Sequence, residues 1–243
     1  MSRVAWEAAR CDAVVIAHGS AGDAAWGRAL VAGARLVVAA DGGARTALRW
    51  GRAPDVVVGD LDSLDARARR ALERAGCAFE VHPRDKDETD AELALLAAVR
   101  RGATSIAVAG ALGGERLDHA LANVLLLGLP ALRGVPVALV DPRHEVRLLR
   151  GPESIALRGA RGDYVSLLPL GGAARGITTA GLRYRLEHGT LAAGPARGVS
   201  NELVRRRATV TVGRGALLVV LHRRGSGGEA AVPQAEPAGR GAE

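Results

Sequence analysis

The feature that most restricts the fold is a series of short apolar runs, most of them closed by a glycine or an aspartate and followed by an amphipathic stretch. The runs at 13–18 (AVVIAH), 36–40 (LVVAA), 55–58 (DVVV), 78–82 (AFEVH), 105–109 (SIAVA) and 136–140 (PVALV) are built around β-branched residues and lack polar alternation. Strands buried on both faces read this way, which points to a parallel sheet. Between them the spacing predicts helices over 23–34, 44–50, 64–75, 90–101 and 117–127. Gly51, Gly76, Gly102 and Gly128 close several of these, as a left-handed C-terminal cap requires. Thr89 and Glu92 read as a capping box, hydroxyl and carboxylate each satisfying a free backbone donor. The expected fold is a doubly wound, mainly parallel α/β sheet, whose ligand sits beyond the carboxyl ends of the strands.

The unusual residues gather at those ends. Asp41-Gly42-Gly43, Asp60, Asp62 and Ser63, the acids at 85–90, and the loop from Gly110 to His119 all follow predicted strands. In a chain of net charge +7, the stretch 54–92 holds two acid clusters: GDLDS, with Asp60 and Asp62, and RDKDETD, with Asp85, Asp87 and Asp90. Like charges this close raise each other's pKa unless something positive sits among them, and all-oxygen ligands point to magnesium. An isolated acidic run is most often a solvated face. Here both clusters fall where a strand gives way to a helix. Lys86 is the sole lysine among 33 Lys and Arg, a compact ammonium kept among carboxylates. Gly113 and Gly114 would let backbone amides approach a phosphate at the start of the next helix. Neither the Walker spacing nor GxGxxG is present. Acids, lysine, arginine and glycine loops on one rim describe a site for a nucleotide polyphosphate.

Beyond about Asp141 helical periodicity stops, and short runs separated by glycine take over at 145–150, 154–158, 163–168, 176–179, 182–186, 208–212 and 216–222. About seven close-spaced strands argue a small β-sandwich. The division expected is 1–143 as an α/β nucleotide- and metal-binding part, 144–224 as the sandwich, and 225–243 as a disordered tail poor in large apolar residues. The 243 residues and 48% apolar content suffice for a core. The positive charge goes with a bias to Arg, Ala and Gly, and 3 Trp, 2 Tyr and 1 Phe leave little to stack bases on, which disfavours nucleic acid. Cys11 and Cys77 form no disulfide framework or zinc site and read as core residues. Trp6, Trp26 and Trp50 read as helix packing, and His119 as a cap or packing residue. The N-terminal apolar run is too short for a signal peptide or membrane span, so a cytoplasmic protein without membrane contact is expected.

The motifs DGGA (41–44), PDVVVGDLDS (54–63), KDETDAELAL (86–95), GALGGERLDHALANVLLL (110–127), VSLLPL (165–170), GITTAGLRYRL (176–186) and GVSNEL (198–203) together resemble, in order and spacing, those of the thiamine pyrophosphokinase family. The resemblance spans about 13–222. It implies a homodimer and transfer of a pyrophosphoryl group from ATP to the hydroxyl of thiamine, releasing AMP. By position it implies Asp60, Asp62 and Asp90 as magnesium ligands, with Asp41 as a further acid of the pocket. Asp41, Gly42, Gly43, Asp87 and Thr89 fall on the ATP side, and Lys86 and Arg116 at the phosphates. Asp118 either accepts the alcohol's proton or orients it. Thr178, Thr179, Tyr184, Ser200 and Asn201 match contacts to thiamine, acting across the dimer. The rival readings are a pyrophosphokinase for another primary alcohol, such as a pterin, and a magnesium-dependent phosphohydrolase.

Overall fold

The computed structural model describes residues 11–224. The expectations for Trp6 and for the tail from 225 onward lie outside the described residues.

Six short strands, β1 (Ala13–Ile16), β2 (Leu36–Ala40), β3 (Val56–Gly59), β4 (Ala78–Val81), β5 (Ile106–Ala109) and β6 (Val137–Val140), pair in parallel in the order β4-β3-β2-β1-β5-β6. They alternate with α1 (Ala24–Val31), α2 (Gly43–Arg49), α3 (Ala66–Arg74), α4 (Asp90–Arg100) and α5 (Leu117–Leu126). Because side chains alternate across a strand, each strand serves two cores. Val14, Ile16 and Val37 meet Trp26 and Leu30 of α1, Ala47 of α2 and Trp50. Val57 meets Leu72 of α3. Val15, Val38, Val58 and Val108 face Leu93, Ala94 and Ala97 of α4 on the opposite side. The chain order reverses between β1 and β5, and the loops leaving those two strands are joined by hydrogen bonds from Gly19 N to Gly110 O (3.0 Å) and Ser20 N to Gly113 O (3.2 Å).

Local sequence explains the helix ends. Asp23 and Asp65 each accept a bond from the backbone of the first turn, at Trp26 N and Ala68 N (both 2.8 Å), and Thr89 Oγ1 accepts from Glu92 N at 3.2 Å. That last contact is one of the two bonds of the expected capping box. Gly51, Gly76 and Gly102 take the left-handed conformation expected of a C-terminal cap. Gly128 does not: α5 runs through a tight turn into a 3₁₀ segment at Pro130–Leu132, so no left-handed residue is needed there.

The second half contains β7 (His144–Arg150), β8 (Glu153–Arg158), β9 (Tyr164–Ala180), β10 (Gly189–Leu191), β11 (Asn201–Glu202), β12 (Arg207–Val212) and β13 (Arg214–His222). Three expectations need correction here. The parallel pairing expected of the sheet holds for β1 to β6 but not beyond: β7 folds back antiparallel onto β6, so the thirteen strands form one mixed sheet, eleven along a single path with β10 and β11 pairing off β9. The turn that reverses the chain is held by Asp141, whose Oδ1 accepts from the backbone N of Arg143 and of His144, both at 2.7 Å. The expected strands at 163–168 and 176–179 are a single strand, β9. It bends through Gly171, Gly172 and Gly176 at φ 72°, 147° and 65°, pairing with β13 before the bend and β12 after it. Finally, 182–186 is a loop: beyond the Leu182–Leu203 bridge and single backbone bonds from Arg183 N to Glu202 O and from Thr179 N to Leu186 O (both 2.9 Å), the side chains of Asn201 and Thr179 take the backbone donors of Tyr184 and Leu186 that a strand would use. Leu157, Leu167, Ile177, Val210 and Leu217 interdigitate as the core of this half.

A polar seam stitches β7 to β13. Glu145 is buried between Arg147 and Arg223, each at 2.9 Å. Beside it, His222 Nδ1 and His144 Nε2 share a hydrogen bond of 2.8 Å, and His144 Nδ1 lies 2.9 Å from Asp141 Oδ2. Burial, then the neighbouring His144 and Arg143, push the His222 pKa below 6.5 against the opposing pull of Asp163 and Asp141. A base with a lowered native pKa adds stability that is complete above 6.5 and is lost as pH falls through the lowered value. Urea midpoints of the wild type should therefore drop between pH 7 and pH 5, and His222→Gln should flatten that slope; an unchanged slope would contradict the assignment.

Candidate active site

Asp41, Asp60 and Asp62 each present a carboxylate oxygen within 4.8 Å of the others at the carboxyl ends of β2 and β3. Asp41 ends β2 at φ 41°, a left-handed conformation aspartate tolerates, and its side chain is buried. Leu61 is also left-handed, at φ 64°; its side chain turns inward to the core of Leu72 and Cys77, while Asp60 and Asp62 stay at the rim. Asp62 N donates to Asp60 Oδ1 at 3.2 Å and tightens that turn.

Asp90, the first residue of α4, joins them through Gly59. A Cβ on Gly59 would stand 3.1 Å from Asp41 Cβ and 3.1 Å from Asp90 Oδ1, so the bare backbone of VVVGD is what lets these two acids approach. Asp41 Oδ1 is buried without a hydrogen bond. Asp90 Oδ1 is buried too, and although Lys86 Nζ lies 3.1 Å away, the angle is not that of a hydrogen bond. The ammonium instead donates to Pro83 O at 3.1 Å. Two buried carboxylate oxygens thus lack a donor, in a group whose ligand atoms are all oxygen. That is the chemistry of a hard divalent cation such as Mg²⁺. Thr89 caps the same helix, and Asp87 is exposed in the preceding loop.

The glycines after β2 are fixed by space. A Cβ on Gly43 would fall 2.0 Å from Ile16 O, and one on Gly42 would fall 2.4 Å from His18 Nε2. Neither His18 nor Gly59 is among the site residues expected from the sequence; the signal for them is position, His18 ending the run 13–18 and Gly59 directly following 55–58. On the other side of the reversal point, Arg116 caps no backbone group but grips Asp118, Nε to Oδ1 at 3.1 Å, with both side chains exposed. That guanidinium holds the Asp118 carboxyl down to about 2, which leaves Asp118 a weak base in this state. His119 lies within the first turn of α5 and is exposed.

The predicted thiamine residues collect in a second group. Asn201 accepts from Tyr184 N at 2.9 Å and donates to Tyr184 O at 2.6 Å, clamping the 182–186 loop to β11. Thr179 is buried and accepts from Leu186 N at 2.9 Å, while Thr178 accepts from His188 N at 3.2 Å. Ser200 sits at φ 60° with its N bonded to Ser166 Oγ at 3.1 Å. Tyr184 is 61% exposed, with Arg183 stacked 5.6 Å from its ring centroid. Asn201 and Thr179 therefore position the loop, and Tyr184, Ser200 and Thr178 carry the reachable groups.

A parallel sheet with an acidic, glycine-lined rim, continued into an all-β half, defines an α/β protein of the phosphate-handling class. The chain belongs to the thiamin pyrophosphokinase family. The family model for the thiamin pyrophosphokinase catalytic domain matches residues 28–138, and that for the vitamin B1 binding domain matches 144–217. Thiamine pyrophosphokinase of Bacillus subtilis is 30% identical over 185 residues, 76% of this chain and 86% of that protein. Thiamine pyrophosphokinase 1 of Oryza sativa subsp. japonica is 27% identical over 202 residues, 73% of this chain and 75% of that protein. Among solved structures, thiamine pyrophosphokinase from Bacillus subtilis superposes with TM-score 0.75 at 25% identity, covering 87% of this chain and 99% of that one. The enzyme from Geobacillus thermodenitrificans gives 0.74 at 28%, covering 88% and 98%.

Two predictions follow from the geometry alone. Asp41→Asn keeps the left-handed backbone but removes one of the crowded charges, and should raise the stability of the metal-free chain by about 1 kcal/mol in urea unfolding. Asn201→Ala should cost about 2 kcal/mol and expose the 182–186 amides to hydrogen exchange, because it orphans the Tyr184 backbone.

Proposed function

We propose that this chain transfers the pyrophosphoryl group of ATP to the hydroxyl of thiamine with the aid of Mg²⁺, giving thiamine diphosphate and AMP. The observation that carries the reading is the convergence of Asp41, Asp60, Asp62 and Asp90 around buried oxygens that lack donors. Asp60, Asp62 and Asp90 would hold the cation, with Asp41 behind them. Bound magnesium supplies charge neutralisation on the bridging and leaving oxygens. Lys86 now leans on Asp90; once that carboxylate is engaged, the ammonium is released to a phosphate oxygen. Arg116 is exposed and exchanges Asp118 for phosphate in the same way. Asp87, Thr89, Gly42 and Gly43 line the nucleotide side. The thiamine oxygen attacks the β-phosphorus, the bond from that phosphorus to the α-phosphate bridging oxygen breaks, and AMP departs. Asp118, released by Arg116, is then free to accept or orient the alcohol's proton, and a loose transition state asks little of it.

The 1–143 part is read as the doubly wound nucleotide-binding domain, 144–224 as the thiamine-binding and dimerisation sandwich. A homodimer is supported by two exposed features. Leu117, Leu121 and Leu125 form a stripe along α5, exposed by 73%, 57% and 57%, next to Arg116. Tyr184 offers an open aromatic face suited to the thiazolium cation. The test is an assay with ATP, Mg²⁺ and thiamine that follows AMP and thiamine diphosphate. Phosphate release without acceptor would indicate a phosphohydrolase, and turnover of a pterin but not thiamine would move the acceptor. Asp62→Asn should abolish turnover while the unfolding midpoint stays at or above that of wild type. Tyr184→Ala should raise the thiamine KM more than it lowers kcat.

A further inference from the structure

His18 closes the run that forms β1, where the strand order reverses, and its imidazole is exposed. A Cβ built on Gly42 would lie 2.4 Å from Nε2, 2.5 Å from Cε1 and 2.6 Å from Cδ2, so the Nε2 corner of the ring rests on the bare Cα of Gly42. One residue further back is Asp41, with its buried oxygen lacking a donor. The next residue, Gly19, is locked against the other glycine loop: a Cβ there would fall 2.1 Å from Gly113 O and 2.4 Å from Gly110 O. His18 thus stands between the two glycine loops on the rim, placed by backbone packing. Its ring makes no hydrogen bond to another described residue.

We propose that His18 is a nucleotide-contacting residue whose Nε2 donates to a phosphate oxygen of the metal-bound triphosphate. The inference rests on the nucleotide reading above and adds a residue to it. Lys86 and Arg116 must each exchange a carboxylate partner for phosphate, whereas the exposed His18 gives up only water, so its bond contributes the ordinary net worth of a hydrogen bond to affinity. Gly42 is at φ −58°, an ordinary conformation, so the lack of a side chain there answers to the space the ring occupies and not to backbone geometry.

The test is a calorimetric titration of a non-hydrolysable ATP analogue with Mg²⁺, without thiamine, into wild type and variants, alongside steady-state kinetics. His18→Ala should bind the analogue about tenfold more weakly and raise the ATP KM by a similar factor, leaving the thiamine KM unchanged. His18→Gln, which keeps a donor, should recover most of the loss, and His18→Phe should not. Gly42→Ala, whose methyl displaces the ring, should reproduce the His18→Ala defect and add nothing to it in the double variant. Wild-type affinity in His18→Ala overturns the inference and leaves the functional reading standing. Recovery by Phe but not Gln also overturns it, since the ring would then be stacking on the base. A wild type that binds no nucleotide overturns both.

Discussion

Mutual repulsion among carboxylates is the constraint on which this structure depends. Asp41, Asp60, Asp62 and Asp90 come from three separate segments and converge where two of them hide an oxygen from any donor. Such an arrangement persists only where surrounding packing outweighs it. The packing is on hand: Val57 and Val58 are buried on opposite faces of β3, Leu61 is sunk into the core below its own turn, and Thr89 fixes the start of α4. Gly59 contributes by what it lacks.

The cationic groups around the rim are not idle in the meantime. Lys86 leans on Asp90, and Arg116 is tied to Asp118. The Arg116–Asp118 pair is exposed, so little is lost when it parts, whereas Lys86 and Asp90 are largely buried and part only against a replacing charge. The β-half follows a different rule. Its polar side chains are mostly spent on backbone, with Asn201 and Thr179 fixing a loop so that Tyr184 projects from it. One group of residues is held ready for exchange, the other is held still.

Much of this was legible in the sequence, and the misses have physical causes. The six parallel strands were readable because strands buried on both faces carry unbroken β-branched runs. The acids were readable because they follow those runs. What failed was length and continuity. A glycine signals either a bend or a break, and the three in β9 are bends, which composition cannot distinguish. The Leu182–Leu186 segment carries strand-like residues, yet Asn201 and Thr179 intercept its donors across the fold. Gly128 looked like the other caps but leads into a 3₁₀ turn. Among the expected site residues, the meeting of Asp41, Asp60 and Asp62 was readable from their places after the strands, but not that Asn201 would act through Tyr184, nor that His18 would lie on Gly42.

The antiparallel seam between β6 and β7 has a mechanical meaning. Register bonds run without interruption from β4 at one edge through β6 into β7, β13 and β9, and the buried Glu145 is clasped by Arg147 of β7 and by Arg223, just past the end of β13. A chain joined in that manner resists hinging, because rotation of one half would shear a row of hydrogen bonds at once. Adjustment to reactants would therefore fall to the exposed segments at 85–88 and 114–116, carried on a stiff spine.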